Sequence, residues 1–435
     1  MRKLIVWFLL LTFVLALAGC HRQDEIAWKS YRYEKEGAGG DSFAITIQED
    51  GKFTYYEGSI SSYLGYGSWV LKDGILVLSD ETGYPFVNRF KVDGDDLIFL
   101  SEGSSNFMFV NVADGERFTA ENISGGTDMV KTAAIIILLI LAVLAVISCL
   151  MAAYVAKPRY TSLEKAKKIA EDAGFWREYD KLEQEELEIE SYDGYRLKAF
   201  YVPAPANSDK YVIISHGYTY NRYGSLRYLH MFRSLGYNCL IYDDRGHGAN
   251  PRTKCTMGVR ESKDLLQVID WVYKRFGEDI ILGLHGESMG SGLQIMALKE
   301  KPKVKFVVND CGYADLMGVL THNIRSSLHM PKCFCYLASA ACRVVFGYSF
   351  TGVRPIDSLQ ENTVPICFMH GAADDFIPCS HSERMKQATT AYSELHLFPG
   401  AAHGLSIDSD EEGYCRIVKE FLDKVLADSN SSDLQ

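Results

Sequence analysis

The chain has 435 residues, of which 47% are hydrophobic, and its 56 acidic residues against 45 basic ones give a formal net charge of −11. This length predicts two domains or more, with enough apolar residues for packed cores. The acidic balance and the lack of a basic stripe argue against a nucleic-acid partner, because phosphate contacts need clustered Lys and Arg.

The first twenty residues are typical of an export signal. A basic start, Met1-Arg2-Lys3, precedes the apolar stretch 4–17, which is too short for a comfortable membrane span. Leu17-Ala18-Gly19-Cys20 then forms a lipobox, so we expect residues 1–20 to be a lipoprotein signal peptide and Cys20 to become the lipidated N-terminus. An uncleaved signal anchor is the alternative, and both interpretations predict that the following segment is exported.

Residues 21–125 are predicted to form a small β-barrel-like domain. Short runs that favour strands are separated by Asp-Gly turns at Asp50-Gly51, Asp73-Gly74 and Asp93-Gly94, which are typical of hairpins. The runs are Phe43–Ile47, Lys52–Tyr56, Ser68–Lys72, Ile75–Leu78, Leu97–Leu100 and Phe107–Val110.

Together with Gly65-Tyr66-Gly67-Ser68-Trp69, this pattern resembles the small lipocalin-like domains of bacterial lipoproteins. The resemblance implies a barrel whose mouth is able to bind a ligand. Trp69 itself is expected in the core, where a large aromatic side chain buries most area. We assign this domain no chemistry.

Residues 133–156 carry no charge, and as a helix they extend about 36 Å, enough to cross a bilayer. We therefore predict a transmembrane helix, with the membrane lipid bilayer as a partner. Five basic residues follow within twelve positions, against Lys131 in the ten before. The positive-inside rule then places the C-terminal domain in the cytoplasm and the β-domain outside. The five are Lys157, Arg159, Lys165, Lys167 and Lys168.

Cysteine usage agrees with this orientation. The β-domain has no cysteine after Cys20, whereas the region after the span has nine without repeated spacing, which suits a reducing compartment. However, Met129-Val130-Lys131-Thr132 resembles the start of a second protein. A protein that began at Met129 is able to insert into the membrane in the opposite orientation, so a C-terminal domain outside the cytoplasm stays open as an alternative.

A serine between glycines ends a short apolar strand in the C-terminal region. Residues 279–285 lead into Gly286-Glu287-Ser288-Met289-Gly290, the G-x-S-x-G pattern of a nucleophile elbow. The sharp turn from strand to helix leaves no room for side chains at the glycines, and its strain lifts the Ser288 hydroxyl clear of the sheet. The pattern alone is weak, since Ser288 alternatively caps a helix.

Three further segments supply partners for Ser288. The strand 211–215 opens a loop in which the amide of Tyr218 is expected to join that of Met289 in an oxyanion hole. An acid, Asp374, follows the strand 365–369, and His403 follows the last strand. The chain order Ser288, Asp374, His403 is that of α/β-hydrolases and differs from those of chymotrypsin and subtilisin.

From about Tyr160 to Ala427 the sequence resembles bacterial α/β-hydrolases with an N-terminal membrane anchor, related to the serine aminopeptidase and BEM46-like branch. The matching segments are His216-Gly217, Tyr242–Gly248, Gly258–Glu261, Gly286–Gly290, His370–Pro378 and Gly400–Gly404. The resemblance implies that residues 160–428 form an α/β-hydrolase domain, which has a mostly parallel, doubly wound sheet and a small helical cap. It implies no substrate, since this fold hosts esterases, thioesterases, peptidases and lyases.

The resemblance also assigns roles to residues near the site. The spacing H-G-x-x-D-x-x-I-P favours Asp374 over Asp375 as the acid, although both are typical of turns. The Asp244-Arg245-Gly246 turn is implied to be structural, with its arginine bracing the loop beside the site, and a substrate role for Arg245 stays open. The histidines at strand ends are interpreted as structural, in contrast to His403 in its Gly-rich loop. They are His216, His285 and His370.

The segment Asn323 to Phe350 is apolar at helical spacing and is predicted to form the cap. Its apolar side chains either line an acyl pocket or only pack on the sheet, and packing is favoured. Cys333 and Cys335 lack a second closely spaced pair of cysteines or histidines, so we interpret them as cap or core residues and predict no metal site. Residues 429–435 are predicted to be a polar, disordered tail.

These features predict a serine hydrolase that cleaves carboxylic ester or related acyl bonds of a small-molecule substrate, without a metal or organic cofactor. His403 acts as general base toward Ser288, Asp374 orients the imidazole, and the amides of Tyr218 and Met289 hold the oxyanion. The sequence does not predict the oligomeric state.

Two alternatives remain. An aminopeptidase or thioesterase of the same fold is one, but an aminopeptidase needs an acid for the substrate's α-ammonium group, and the cap has none between Asp315 and Asp357. A membrane sensor or scaffold with an inactive hydrolase domain is the alternative from another class.

Overall fold

The computed structural model describes residues 29–34, 43–48, 50–57, 64–81, 86–108, 110–122, 126–157 and 160–432. The chain divides into two compact units, Met1–Leu138 and Leu139–Gln435. They are called the N-terminal unit and the C-terminal unit below. The predicted signal peptide and the lipidation site at Cys20 lie outside the described residues.

Eight strands form a closed barrel in the N-terminal unit. Each strand pairs antiparallel with the next along the chain, and the last pairs back with the first. In chain order they are β1 (Lys29–Tyr33), β2 (Phe43–Ile47), β3 (Lys52–Glu57), β4 (Leu64–Lys72), β5 (Ile75–Asp80), β6 (Val87–Asp93), β7 (Asp96–Leu100) and β8 (Arg117–Asn122).

The three Asp-Gly pairs lie at hairpins, as predicted. They join β2 to β3, β4 to β5 and β6 to β7. At the second hairpin both Asp73 and Gly74 have positive φ, 51° and 78°. This backbone conformation suits a tight antiparallel turn and favours aspartate and glycine.

Three strands were not predicted, and one predicted run is not a strand. In β1, β6 and β8 charged residues such as Arg32 and Arg89 separate the buried ones, so these strands lack a continuous apolar run. Phe107 and Met108 lie outside any strand. Phe107 still packs into the barrel, with its ring 4.7 Å from that of Phe43.

Aromatic side chains fill the barrel, and the Gly65-to-Trp69 segment shows how. A Cβ atom at Gly65 would lie 1.8 Å from the Tyr55 ring, so the glycine makes room for that ring. Trp69 packs against the barrel core and donates its indole N–H to the Gln48 carbonyl at 2.9 Å. Trp69 therefore has the packing role that the sequence predicted.

A long helix, α1 (Gly126–Ala156), follows the barrel. Within the described part of the chain, its segment Ala133–Ala156 is the one unbroken helix long and apolar enough to cross a membrane. Most of its side chains from Ala133 to Leu150 are exposed, but Ala152 and Ala156 are buried in the C-terminal unit.

The C-terminal unit contains an eight-stranded sheet in the order β16-β15-β14-β13-β11-β12-β10-β9. Strand β10 is antiparallel to both of its neighbours, and the strands from β12 to β16 are parallel. The strands are β9 (Glu185–Glu190), β10 (Arg196–Val202), β11 (Lys210–Ser215), β12 (Asn238–Tyr242), β13 (Ile281–Glu287), β14 (Phe306–Asp310), β15 (Ile366–Gly371) and β16 (Ser393–Phe398).

Helices cover both faces of this sheet, which has a buried apolar cluster on each side. The helices are α2 (Leu163–Asp172), α3 (Phe175–Tyr179), α4 (Leu226–Ser234), α5 (Glu261–Phe276), α6 (Met289–Ala297), α7 (Leu316–Leu328), α8 (Cys333–Phe346), α9 (Ser380–Ala388), α10 (Ser406–Ser409) and α11 (Glu411–Ser432). This is the doubly wound arrangement that the sequence predicted.

The cap consists of α7 and α8, between β14 and β15, so it begins at Leu316 rather than at Asn323. Asp315 starts it by accepting a hydrogen bond from the amide of Gly318 at 2.6 Å. The prediction for the tail was wrong in part, because α11 continues to Ser432 and takes in the first residues of the polar segment.

Candidate active site

The proposed nucleophile lies in a strained turn. Ser288 joins β13 to α6 with φ 54° and ψ −110°, a conformation that non-glycine residues rarely adopt. A Cβ atom at Gly286 would lie 2.5 Å from the Gly290 carbonyl carbon, and one at Gly290 would lie 2.2 Å from the Ser215 carbonyl oxygen. Both glycines are therefore required by backbone contacts.

The structure also tests the interpretation of Ser288 as a helix cap. Ser288 occupies the N-cap position of α6, but its side chain forms no capping hydrogen bond. Instead, its hydroxyl oxygen lies 2.9 Å from Nε2 of His403. The side chain is thus directed at a base and not at the helix.

The three residues predicted as a triad form one chain of hydrogen bonds. His403 Nδ1 lies 2.7 Å from Oδ2 of Asp374. Because an ionised carboxylate only accepts, Nδ1 carries the proton and Nε2 is free to accept from the Ser288 hydroxyl. This is the tautomer that a general base toward serine requires.

Asp374 is held in place and kept ionised. Its Oδ1 accepts the backbone N–H groups of Phe376 at 3.0 Å and Ile377 at 2.8 Å. Burial by itself raises the pKa of Asp374, but hydrogen bonds from His370 and His403 outweigh it and hold that pKa well below its usual range. The carboxylate is therefore ionised at neutral pH.

Asp375, the alternative acid, points elsewhere. Its side chain is exposed, and its backbone carbonyl accepts a hydrogen bond from His322 at 2.9 Å. Of the two neighbouring acids, Asp374 is the one in contact with His403.

His370 is a second histidine in contact with Asp374. Its Nε2 lies 2.7 Å from the Ile377 carbonyl and 3.2 Å from Oδ2 of Asp374, two groups that only accept, so Nε2 carries the proton. Its Nδ1 then accepts from the Ser382 hydroxyl at 2.7 Å. His370 is fully buried, and all its contacts orient it toward Asp374 rather than toward solvent.

His216 and His285 are buried beside other polar groups; Nε2 of His285 lies 3.1 Å from the Tyr414 hydroxyl, and its Nδ1 has no hydrogen-bond partner among the described residues. The amide of Asp244 donates to Nε2 of His216 at 3.0 Å, and Nδ1 of His216 lies 2.8 Å from the Gly217 carbonyl. Burial lowers the pKa of His216 and also that of His285, which falls to about 3. Both rings are therefore neutral and structural.

The two expected oxyanion donors flank Ser288. Met289 is the first residue of α6, so its N–H has no carbonyl four residues earlier in the helix to accept it. On the other side, a Cβ atom at Gly217 would lie 3.7 Å from Cβ of Ser288, which places the loop that carries the Tyr218 amide beside the nucleophile.

Arg245 has little capacity left for a substrate. It is buried, and four of its N–H bonds reach two carboxylates, Asp264 at 2.8 and 2.5 Å and Asp193 at 2.9 and 3.0 Å. Its guanidinium group also lies 4.6 Å from the centre of the Tyr195 ring. These contacts tie the 244–246 turn to α5 and fit the structural role that the resemblance implied.

Sequence reasoning missed a cluster of charged residues behind the elbow. Glu287 accepts hydrogen bonds from Arg227 at 2.5 Å and from the Tyr228 hydroxyl at 3.0 Å. Tyr228 lies 3.1 Å from Asp310, and Arg227 also pairs with Asp408. A charge at the end of the buried strand β13 was the available signal, because such a charge needs a partner.

One group of potential metal ligands occurs among the described residues. Cys367, Glu394 and His396 have ligand atoms within 4.8 Å of one another. They lie on neighbouring positions of β15 and β16, where His396 is hydrogen-bonded to Glu394 at 3.0 Å. Burial raises the pKa of the Cys367 thiol and so disfavours the thiolate in the absence of a metal ion.

Known proteins match this C-terminal unit. The model of the prolyl oligopeptidase family matches residues 225–429. YqkD of Bacillus subtilis is 30% identical to this chain over 250 residues, which are 57% of this chain and 82% of YqkD. The chain is an α/β-hydrolase that belongs to the same family as YqkD. YfhR of Escherichia coli K12 is 24% identical over 238 residues, which are 53% of this chain and 76% of YfhR.

Solved structures with similar folds include two esterases. The esterase Pf2001 of Pyrococcus furiosus is 22% identical with a TM-score of 0.49, and the match covers 59% of this chain and 93% of the esterase. Est1E of Butyrivibrio proteoclasticus is 20% identical with a TM-score of 0.45, over 55% of this chain and 99% of Est1E.

The family match and the site belong to the same unit. This hydrolase is an enzyme of the serine type, and the sensor or scaffold with an inactive domain is disfavoured. From here on, the C-terminal unit is called the hydrolase unit.

Proposed function

We propose that this protein is a membrane-anchored serine esterase, with Ser288 as nucleophile, His403 as general base and Asp374 as the orienting acid. The observation that carries the proposal is the chain of hydrogen bonds from Ser288 through His403 to Asp374, at 2.9 and 2.7 Å. It begins at a strained elbow whose glycines are required by backbone contacts.

The mechanism follows from this geometry. His403 Nε2 takes the proton of Ser288 as Oγ attacks the substrate carbonyl carbon, and ionised Asp374 stabilises the imidazolium that forms. The amides of Tyr218 and Met289 hold the negative charge of the tetrahedral intermediate. His403 then gives the proton to the leaving alcohol, which leaves an acyl group on Ser288. In the second half of the reaction, His403 takes a proton from water as the water attacks the acyl carbon, and it returns that proton to Ser288 as the acid is released.

Charge near the site favours a neutral acyl substrate. Between Asp315 and Asp357 the cap has no acidic residue to hold an α-ammonium group. The nearest acid to the elbow, Glu287, is already neutralised by Arg227. The prolyl oligopeptidase match nevertheless makes a peptidase the second candidate, and the finer resemblance to the serine aminopeptidase and BEM46-like branch is part of the proposal.

A covalent probe tests the nucleophile directly. The full chain in detergent is treated with a fluorophosphonate, which labels a serine only when its base activates it. We expect one labelled peptide containing Ser288, and no labelling of Ser288→Ala. An intact, folded parent protein that stays unlabelled contradicts the proposal. A panel of esters of increasing acyl length, run beside short peptide amides, then separates the esterase from the peptidase.

The cellular arrangement is a second part of the proposal. Lipidated Cys20 and the span 133–156 anchor the chain, the lipocalin-like barrel lies outside the cell membrane, and the hydrolase unit lies in the cytoplasm. The charge asymmetry around the span supports this orientation. The ten described cysteines are free thiols, which suits the cytoplasm for the nine that follow the span.

Protease protection tests this orientation. In protoplasts with sealed membranes, added protease should digest the barrel and leave the hydrolase unit intact. Digestion of the hydrolase unit from outside reverses the orientation, and it leaves the assignment of the catalytic residues unaffected.

A further inference from the structure

The cap has an exposed apolar face. Helix α8 buries one side, including Cys335, Ala338 and Cys342, in the hydrolase unit. Its opposite side presents Tyr336, Leu337, Ala340 and Val344, which recur at helical spacing along one stripe. Leu337 and Val344 are 42% and 67% exposed. A continuous apolar stripe on a surface helix marks a contact with a partner or with lipid.

Two observations identify the partner as a lipid bilayer. The first is continuity with the end of the span. Ala152 and Ala156 of α1 belong to the same buried apolar cluster as Cys335, Ala338 and Cys342 of α8. The amide of Cys255 also donates to the Ala156 carbonyl at 2.9 Å. The end of α1 and the buried side of α8 therefore belong to one apolar cluster, and Lys157, the residue after α1, lies 5.7 Å from the centre of the Phe346 ring of α8.

The second observation is charge. The chain as a whole is acidic, with a net charge of −11, but every charged residue between Asp315 and Asp357 is basic. An apolar helix face with only basic flanks is typical of helices that lie in an anionic membrane surface. The basic residues are Arg325, Lys332, Arg343 and Arg354.

The active site is connected to the same place. Met289 and Tyr218, whose amides are the proposed oxyanion donors, both pack in the cluster that contains Ala152 and Ala156. The Tyr218 hydroxyl donates to the Val155 carbonyl at 2.8 Å. One residue thus contacts the end of the span through its side chain and lies beside Ser288 through its backbone.

We infer that the exposed face of α8 lies in the lipid headgroup region next to the end of α1, so that the site takes its acyl substrates from the membrane. The inference rests on the proposed membrane anchor and deepens the proposed function by naming the substrate class, an ester of a membrane-resident amphiphile. Helix α8 and the following segment Phe350–Ser358 meet at a bend of 93°, so the pair does not form one straight helix.

Lipid photolabelling tests the inference without requiring catalysis. The full chain is reconstituted in nanodiscs of phosphatidylcholine and phosphatidylglycerol that contain a phospholipid with a diazirine on its acyl chain, and labelled peptides are mapped by mass spectrometry. We expect labels in α1 and in α8. Labels in α1 without labels in α8, or in neither helix, overturn the inference.

Variants sharpen this experiment. The double change Leu337→Gln and Val344→Gln should lower α8 labelling several-fold and leave α1 labelling intact. The matched control is Leu397→Gln, an exposed leucine on β16, which should change neither. Equal α8 labelling in the double variant and the parent contradicts the inference.

A kinetic readout separates this inference from the proposed esterase activity. In the double variant, turnover of a bilayer-resident ester relative to a dissolved short-chain ester should fall several-fold, and an unchanged ratio overturns the substrate assignment. The labelling is repeated on Ser288→Ala, which should label α8 like the parent. If the esterase proposal fails, α8 is still labelled; if the membrane inference fails, the fluorophosphonate reaction with Ser288 persists.

Discussion

The two units of this protein differ in how many charged side chains they bury. In the barrel, the ion pairs of the described residues lie at the surface, as between Lys52 and Glu81 or between Arg117 and Asp93. The hydrolase unit instead buries carboxylates and their partners at the carboxyl ends of its strands, among them Asp310 and Asp374. Buried charge is costly unless it is paired, so its accumulation identifies the region where chemistry takes place.

Backbone strain follows the same division. Among the described residues of the barrel, Asp73 is the non-glycine residue with positive φ, and it lies in a hairpin turn that tolerates aspartate. In the hydrolase unit, Ser288 is one of six described non-glycine residues with positive φ, and it lies at the turn from a sheet strand to a helix rather than in a hairpin. Strain persists only where the surroundings enforce it, and here they enforce the direction of one hydroxyl.

The largest expected effect tests whether chemistry is confined to the hydrolase unit. Ser288→Ala removes the nucleophile and should lower ester turnover by about 10⁴- to 10⁶-fold. The melting temperature should change little, because the hydroxyl forms no capping bond. The barrel control Trp69→Phe loses a hydrogen bond to Gln48 but should leave turnover unchanged. A large loss of turnover in that control contradicts the comparison.

The next effect separates the two neighbouring acids. Asp374→Asn replaces the carboxylate beside His403 with an amide, which no longer favours the tautomer with the proton on Nδ1. Turnover should therefore fall by about 10⁴-fold. Asp375→Asn changes an exposed side chain and should be close to the parent. Steady-state kinetics on one ester measures both variants. The reverse order means that Asp375 is the acid in solution.

Glycines in the two units provide a matched pair for stability. Gly290→Ala forces a Cβ atom against a backbone carbonyl of β11, which cannot move without breaking the sheet, and should cost about 3 kcal/mol or more. Gly65→Ala forces the Tyr55 ring aside in the barrel and should cost about 1–2 kcal/mol, with turnover retained. Calorimetry and ester turnover together distinguish them, and equal effects contradict the proposed difference.

The last effect concerns the pH dependence of stability. Burial, with help from the charge of Glu287, raises the pKa of Asp310 from 3.8 to about 6. Because the folded pKa is the higher one, the stabilisation is fully present below about pH 4 and is lost as pH rises through about 6. The parent should therefore lose up to about 3 kcal/mol relative to Asp310→Asn across this window.

Denaturant unfolding of both proteins at pH 4 and at pH 8 measures this difference. If the difference in free energy of unfolding between the parent and Asp310→Asn is the same at both pH values, the prediction for Asp310 is wrong. A similar exchange of an exposed barrel acid, Asp93→Asn, is the control and should show no such dependence, because surface ion pairs contribute little.

Local patterns in the sequence were sufficient where a few neighbouring residues decide the structure. The Asp-Gly hairpins, the elbow and the long apolar helix were predicted because each depends on backbone geometry or on apolar length alone. Strands β1, β6 and β8 were missed, since their exposed residues are charged and the buried ones are too few for a visible run. The cap began earlier than predicted because Asp315 caps a helix that includes polar residues.

Contacts between residues that are far apart in the chain were not predicted from sequence patterns. Nothing near Glu287 in the sequence indicates that Arg227 neutralises it, because the two side chains meet only when α4 packs beside β13. Likewise, the contact between the Tyr218 hydroxyl and the end of α1 joins residues more than sixty positions apart.

The sequence by itself determined the Asp-Gly hairpins, the elbow, the apolar helix and the candidates Ser288, Asp374 and His403, because glycine spacing and strand ends are local properties. The tertiary structure alone decided how His370 holds the acid Asp374, how Arg227 neutralises Glu287, and where the cap lies relative to the end of the apolar helix. Those outcomes depend on which side chains share a low-dielectric, close-packed environment, and packing of the whole sheet and its helices sets that environment.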